Sequence, residues 1–244
     1  ATVDGGIGAL QALGVEFFAA DGRRLAAEGG IITQVAAMET AGLAPEVAGA
    51  ALTVACDVDN PLTGPQGAAP VFGPQKGADP EMVPILAQAL ERLGRLYEAH
   101  CGQQVCDRAG AGAAGGLAAA LYAVLGARLA PGIDVILEAV DFEHHLAECD
   151  LVVTGEGSFD RQTARGKVAA GVARWARRAG KPVIVVTGQS EPQVEAQPPA
   201  GIAAVMPIQR GPMTLDASMA AAATLLFETG RRIARLLAIG RQLQ

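Results

Sequence analysis

Two acids and a lysine crowd one stretch, Leu151–Lys167 (LVVTGEGSFDRQTARGK). An apolar run, Leu151-Val152-Val153, meets an acid flanked by glycines, Gly155-Glu156-Gly157. Asp160 follows, then an Ala-rich segment carrying Gly166-Lys167. The order predicts a buried strand that delivers a tight turn and carboxylates to the mouth of a helix. Glycines let backbone approach a ligand closely, and helix N-termini favour anions. Carboxylates beside such a place point to a metal ion or to proton transfer. A plain strand–turn–helix connection would carry the glycines but would need neither two acids nor a lysine.

A second acidic loop follows the β-rich run Leu52–Cys56, reading Asp57-Val58-Asp59-Asn60-Pro61. A strand that feeds acids into a loop stopped by proline is a common site geometry. The Gly/Pro segment Gly64–Gly77 behind it reads as a loop and carries Phe72 and Lys76. Ala109–Gly116 (AGAGAAGG) resembles a phosphate-cradling loop, but it lacks the Lys-Ser/Thr ending of a Walker A sequence. Close helix packing explains Gly115 and Gly116 equally well. Asp4-Gly5-Gly6, ahead of a short helix, could likewise offer N–H groups to an anion. His100, His144 and His145 with Cys101 or Cys149 show no zinc-ligand spacing.

The elements that must position these residues are legible in part. Ile7–Leu13 reads as a short helix. Val15–Phe18 and Arg23–Leu25 flank the turn Asp21-Gly22 as a hairpin. Asp79-Pro80 opens a helix, with Asp as cap and Pro at its first position. Met82, Val83, Leu86, Leu90, Leu93 and Tyr97 repeat with helical period. Leu117–Leu125 and Phe142–Glu148 are further helices, and Ile133–Val140 is ambiguous. From about Cys149-Asp150 the pattern alternates: strands at Leu151–Thr154, Val183–Thr187 and Ala203–Pro207, helices at Gln162–Ala179 and Ala217–Leu237. Such alternation implies a parallel sheet with helices on both faces, and those sheets bind ligands beyond the carboxyl ends of their strands.

The chain has 244 residues, 50% of them hydrophobic, with 4% aromatics, 31 glycines and a net charge of −6. A sizeable core of Ala, Val, Leu and Ile is available. The acidic balance argues against nucleic acid or an anionic membrane as partner, because both need a basic face. The apolar stretch Gly115–Ala130 is too short to span a bilayer and is interrupted by Gly126 and Arg128. No signal peptide is visible. Cys56, Cys101, Cys106 and Cys149 lack a regular framework and read as reduced thiols of a cytoplasmic protein, although Cys101 and Cys106 could pair.

Three segments together carry a family resemblance: CDVDNPLTGPQGAAPVFGPQKGA (Cys56–Ala78), GAGAAGGLAAAL (Gly110–Leu121) and LVVTGEGSFDRQTARGKVAAGVA (Leu151–Ala173). The chain resembles bacterial glycerate 2-kinases of the compact two-domain type, from its first residues to AIGRQ at Ala238–Gln242. The resemblance implies phosphorylation of D-glycerate to 2-phosphoglycerate with ATP and Mg²⁺. It implies an α/β fold of two domains, a flavodoxin-like parallel-sheet domain and a smaller α/β domain inserted into it. On that reading residues 1–150 are the inserted domain and 151–244 the C-terminal part of the flavodoxin-like one. Family members begin with a further segment bearing an Asp-Ser-[Phe/Tyr]-Lys run and an Ala-Asp-Gly-Gly-Glu-Gly motif, which this chain does not carry. An exposed sheet edge is the expected consequence, and with it a homodimer.

The same resemblance gives the candidates roles. Phosphoryl transfer needs charge compensation, a metal that bridges phosphates and a positioned hydroxyl. Asp160, Glu156 and Asp57 are the catalytic candidates, with Asp57 and Glu156 also the Mg²⁺ ligands. Lys76 and Lys167 are candidates for phosphate or for the glycerate carboxylate, a role Lys fills as a point charge. Gln162, Thr163, Gly155, Gly157, Asn60, Asp4, Gly5, Gly6, Gly115 and Gly116 complete the binding set. Each has a plainer explanation: Asp160 capping the next helix, Asp57 capping a turn with Asn60, lysines solvated. Two rival functions stay open, a non-catalytic binding or regulatory relic of the fold and a kinase for another small hydroxy acid.

Overall fold

A computed structural model describes residues 2–26, 30–160 and 168–243, and the chain divides into two compact units, Ala1–Val135 and Ile136–Gln244. In the first unit the elements run α1 (Ile7–Ala12), β1 (Glu16–Phe18), a 3₁₀ turn (Ile31–Thr33), β2 (Ala37–Glu39), α2 (Pro45–Ala48), β3 (Thr53–Ala55), α3 (Ala68–Phe72), a second 3₁₀ turn (Pro74–Lys76), α4 (Met82–Cys101), α5 (Ala113–Leu125) and β4 (Arg128–Ala130). Helix α6 (Gly132–Ala139) carries the chain into the second unit.

Helix α4 is the spine of the first unit. Leu90, Leu93 and Tyr97 are buried as their spacing predicts, against Ile7 and Leu10 of α1 and Ala119 and Ala120 of α5. The alanines of α5 let that helix approach closely. Asp79 accepts hydrogen bonds from the N–H groups of Glu81 (3.0 Å) and Met82 (2.8 Å), so the Asp-Pro start works as expected. Tyr97 is fully buried, and its hydroxyl donates to the Gly5 carbonyl at 2.9 Å. Burial, and then the charge of Asp4, hold this phenol well above its usual range.

At the far end of α4 the Glu98 carboxylate accepts from the N–H groups of Val105 (2.9 Å) and Cys106 (3.0 Å), pinning the connector. The hydrogen bond from Cys106, then that from Val105, holds the Glu98 carboxyl below its ordinary value. A carboxyl depressed by folding contributes stability above its unfolded pKa and loses it as pH falls through the folded one. Glu98→Gln is therefore expected to lower Tm at neutral pH, and the gap from the parent should close as pH drops below the carboxylate range. Thermal melts across pH test this; a gap independent of pH would count against it. Burial and the Glu98 charge also push the neighbouring Cys106 thiol up to about 11. All four cysteines are free thiols, Cys101 and Cys106 included.

Several local expectations change. The hairpin around Asp21-Gly22 forms, through a Phe18–Arg24 bridge and hydrogen bonds from Ala19 to the Arg23 carbonyl (2.9 Å) and from Leu25 to the Phe17 carbonyl (2.8 Å), although its second arm is too short to make a strand. The main partner of β1 is β2, antiparallel, with Phe17 opposite Met38. Segment 64–77 is not a plain loop: it holds α3 and a 3₁₀ turn. Strand β4, unnoticed inside an apolar run, pairs parallel with β3. The ambiguous segment around Ile133 is helical, as α6.

The second unit contains α7 (Phe142–Glu148), β5 (Val152–Phe159), α8 (Val168–Arg178), β6 (Val183–Ser190), α9 (Pro192–Ala196), β7 (Ile202–Pro207), α10 (Leu215–Ala220) and α11 (Ala222–Gln242). Its sheet is parallel, in the order β5-β6-β7. Alternation along β6 sorts the two faces. Val183 and Val185 pack with Leu146 of α7 and Ala169, Ala173 and Ala176 of α8. Val186 packs on the other side with Leu225 and Ile233 of α11. Helices thus cover both faces, as the alternating pattern predicts. The closing helix is broken at Ala221 (φ −95°, ψ 3°) into α10 and α11. Among the described strands β5 pairs on one side only, and Val153 is 54% exposed. No helix among the described residues is long and apolar enough to cross a membrane.

Candidate functional site

Gly155-Glu156-Gly157 is not a turn. It lies inside β5, with Gly155 opposite Val186 and Glu156 opposite Thr187 of β6. Strand pairing overrides the turn preference of the glycines, as nonlocal contacts routinely do. The correction moves the acid from a loop to a strand, which holds it more rigidly. One Glu156 carboxylate oxygen, Oε1, accepts from the Ala169 N–H in the first turn of α8 at 3.1 Å. A negative charge at a helix start is favourable. The other oxygen, Oε2, is buried and finds no hydrogen-bond partner among the described residues. A buried carboxylate oxygen left unmatched costs free energy, and it is a hard donor of the kind Mg²⁺ takes. The donor fits that ion.

Asp160 follows directly on β5, half-buried and engaged with a neighbour. Gln162, Thr163 and Lys167 lie outside the described residues. Over the carboxyl ends of β5 and β6 opens a cavity of about 760 Å³. Gly155, Gly157 and Gly188 contribute to its floor, and Ser218 and Met219 of α10 to its wall.

In the first unit Asp57 follows β3 and is exposed. Its carboxylate lies over the start of α6, where a Cβ at Gly132 would fall 2.7 Å from Oδ1. Neither Asp57 nor Asp59 makes a hydrogen bond among the described residues, so Asp57 does not cap a turn with Asn60. Asn60 instead braces the loop: its amide donates to the Gln66 carbonyl (2.8 Å) and its own carbonyl accepts from Gly112 (3.0 Å). Burial and the Asp57 charge push the adjacent Cys56 thiol up.

The two Gly-Gly pairs meet. Gly5 donates to the Gly115 carbonyl at 3.0 Å. Ala114, Gly115 and Gly116 are all left-handed (φ 52°, 72° and 94°), which side chains other than glycine rarely tolerate. A Cβ on Gly116 would sit 2.8 Å from the Gly5 Cα, and one on Gly115 would sit 2.3 Å from the Thr2 carbonyl. The Asp4 carboxylate accepts from the N–H groups of Gly6 and Gly8, each at 3.0 Å. The N–H groups of Gly5 and Gly6 are thus engaged inside the protein. Lys76 donates to the Thr2 carbonyl at 2.7 Å and, with Asp4, lines a cavity of about 410 Å³.

The structure therefore gathers Asp4, Gly5, Gly6, Lys76, Gly115 and Gly116 in one unit and places Gly155, Glu156 and Gly157 beside Asp160 in the other. Asp57 and Glu156 belong to different units. No group of three or more His, Cys, Asp or Glu suited to a metal ion occurs among the described residues. Sequence reasoning missed Gln11, whose amide nitrogen bonds the Leu25 carbonyl while its oxygen is buried without a partner. It also missed Ser218, Met219 and Gln209 at the larger cavity. Ser218 and Met219 were hidden inside one helical run, and nothing local marks Gln209.

Comparison with known proteins adds the following. The model of the glycerate kinase family matches residues 1–238. A glycerate kinase of Bacillus subtilis (strain 168) is 43% identical over 234 residues, 96% of this chain and 61% of that protein. A glycerate 2-kinase of Escherichia coli (strain K12) is 40% identical over 240 residues, 98% of this chain and 63% of that protein. Among solved structures, a protein of Salmonella typhimurium LT2, provisionally termed glycerate kinase 2, superposes with a TM-score of 0.79 at 42% identity. That match covers 99% of this chain and 63% of the other. The chain thus spans just over three-fifths of the length of these relatives.

Proposed function

Because the chain belongs to the glycerate kinase family, we propose that it catalyses, or forms the larger part of an enzyme that catalyses, ATP-dependent phosphorylation of D-glycerate to 2-phosphoglycerate. The observation that carries this reading beyond family membership is Glu156. It is an acid on a strand, beside a helix start and an open cavity, with one buried oxygen that the described residues leave unmatched.

The chain's own groups divide the work as follows. Asp160, or Asp57, orients the C2 hydroxyl of glycerate and accepts its proton as the oxygen attacks the γ-phosphorus. Lys76 or Lys167 supplies positive charge for the glycerate carboxylate or the moving phosphoryl group. Closure over bound substrates keeps water from competing for that group. Glu156, with Asp57 as the second candidate, would hold Mg²⁺, which would supply compensation for phosphate charge. A cytoplasmic location and self-association through the open edge of β5 belong to the same reading.

The test is a coupled assay of ADP formation with D-glycerate and Mg²⁺. It is run on the 244-residue chain and on the chain extended by the N-terminal segment that the resemblance implies. Turnover that needs glycerate, with 2-phosphoglycerate as product, is the expected result in at least the extended protein. Turnover only with a different hydroxy acid would change the substrate, and none in either protein would leave a non-catalytic relic.

A further inference from the structure

We propose that the cavity over β5 and β6 is the adenosine pocket of the nucleotide, a deeper assignment that rests on the kinase reading above. Its lining is the first reason. Of the described residues around its 760 Å³, the single charged one is Glu156. Val186 and Ile208 form apolar walls, and Leu215, Met219 and Leu226 add exposed apolar surface. Among the described residues this lining offers no cation for a carboxylate or a triphosphate. It suits a flat, uncharged heteroaromatic ring, and its size falls within the range of roughly 300–1,000 Å³ usual for small-molecule pockets. Met219, 68% exposed, offers a polarisable sulfur of the kind that packs well on aromatic rings.

Gly157 is the second reason. Glycine in the interior of a strand weakens it, and it persists where the backbone bends or another group must come close. The neighbouring Gly188 is explained by the fold, because a Cβ there would sit 2.5 Å from the Gly157 carbonyl. Gly157 is not explained that way. It is absent from the left-handed glycines, and a Cβ built on it meets nothing within 4 Å among the described residues. The space above it opens on the cavity that Gly157 itself lines. A ring lying on the bare strand accounts for a glycine that neither conformation nor packing requires.

The polar groups at the cavity are the third reason. Ser218, only 6% exposed as a residue, presents a neutral hydroxyl at the cavity, and Gln209 a neutral amide. Gln189 also lines the cavity and reaches Ser158 at 3.4 Å. Neutral hydroxyl and amide groups are the donors and acceptors that the edge of a purine needs. With the base here, the phosphates lie toward Glu156, the one charged group among the described residues of the cavity and the proposed metal ligand.

Calorimetry on the 244-residue chain tests this with three probes: ATP, adenosine and inorganic tripolyphosphate. Adenosine should bind on its own. Gly157→Val, which projects into open space on a strand, should weaken adenosine and ATP at least tenfold and leave tripolyphosphate unchanged, with no loss of Tm. Met219→Gln, a change at an exposed helix position, should weaken adenosine about threefold, and it serves if the valine variant does not fold. Absence of adenosine binding, or equal ATP affinity in a folded variant and its parent, would overturn the assignment. Glycerate phosphorylation persisting under those results would leave the kinase reading intact. Conversely, adenosine binding that responds to both variants, in a protein that never phosphorylates glycerate even when extended, would keep the pocket and remove the kinase.

Discussion

Glu156→Gln, made in a turnover-competent form, should cut glycerate-dependent ADP formation by about a hundredfold, within the usual span for groups that stabilise transferring charge. It should also raise the Mg²⁺ concentration for half-maximal rate by about tenfold or more, as loss of a carboxylate at a metal centre does. The substitution is selective by geometry. Glutamine keeps an oxygen able to accept from the Ala169 N–H, so the start of α8 stays capped. What disappears is the negative charge and the second oxygen, the one buried without a partner among the described residues. The readouts are initial rates over a Mg²⁺ series and thermal melts of both proteins. A lower Tm with an unchanged Mg²⁺ response would reduce Glu156 to a helix cap and sink its role in metal binding.

Gly116→Ala should lose about 3–5 kcal/mol of stability, the range of the most damaging single substitutions. It carries two penalties at once. The backbone at Gly116 is left-handed (φ 94°), which costs a residue with a Cβ about 1–2 kcal/mol. The added methyl would also stand 2.8 Å from both the Gly5 Cα and a Leu62 methyl. Gly126→Ala is the internal control: it shares the left-handed backbone (φ 65°) but meets nothing within 4 Å. It should therefore lose only about 1–2 kcal/mol. Denaturant unfolding compares the two. Because Gly116 is also a candidate phosphate ligand, the comparison decides its role. A Gly116→Ala protein as stable as the control, but impaired in nucleotide binding, would move this glycine from packing to recognition.

The division between local and nonlocal information runs through particular residues. Helix α4 was legible because a 3.6-residue period and an Asp-Pro start are local signals, and the buried line through Leu90, Leu93 and Tyr97 follows them. The parallel sheet was legible because strand and helix patterns alternate after Asp150, and Glu156 and Asp160 could be placed toward its carboxyl end from order alone. The four glycines at Gly5, Gly6, Gly115 and Gly116 announced close backbone approach, but not to what.

Tertiary contact decided the rest. Gly155–Gly157 became strand rather than turn because β6 lies alongside it in register. Strand β1 took β2 as a second partner beside the nearer Arg23–Leu25. The two Gly-Gly pairs came together through the bond from Gly5 to the Gly115 carbonyl. Above all, no sequence pattern says which oxygen of Glu156 is matched and which is left over, or that Gly157 opens on a cavity while Gly188 is pressed against the neighbouring strand. Amphipathic period and turn chemistry are properties of a few consecutive residues and can be read in one dimension. An unmatched atom or an open space is defined by everything that surrounds it, and those surroundings exist only once distant segments have packed.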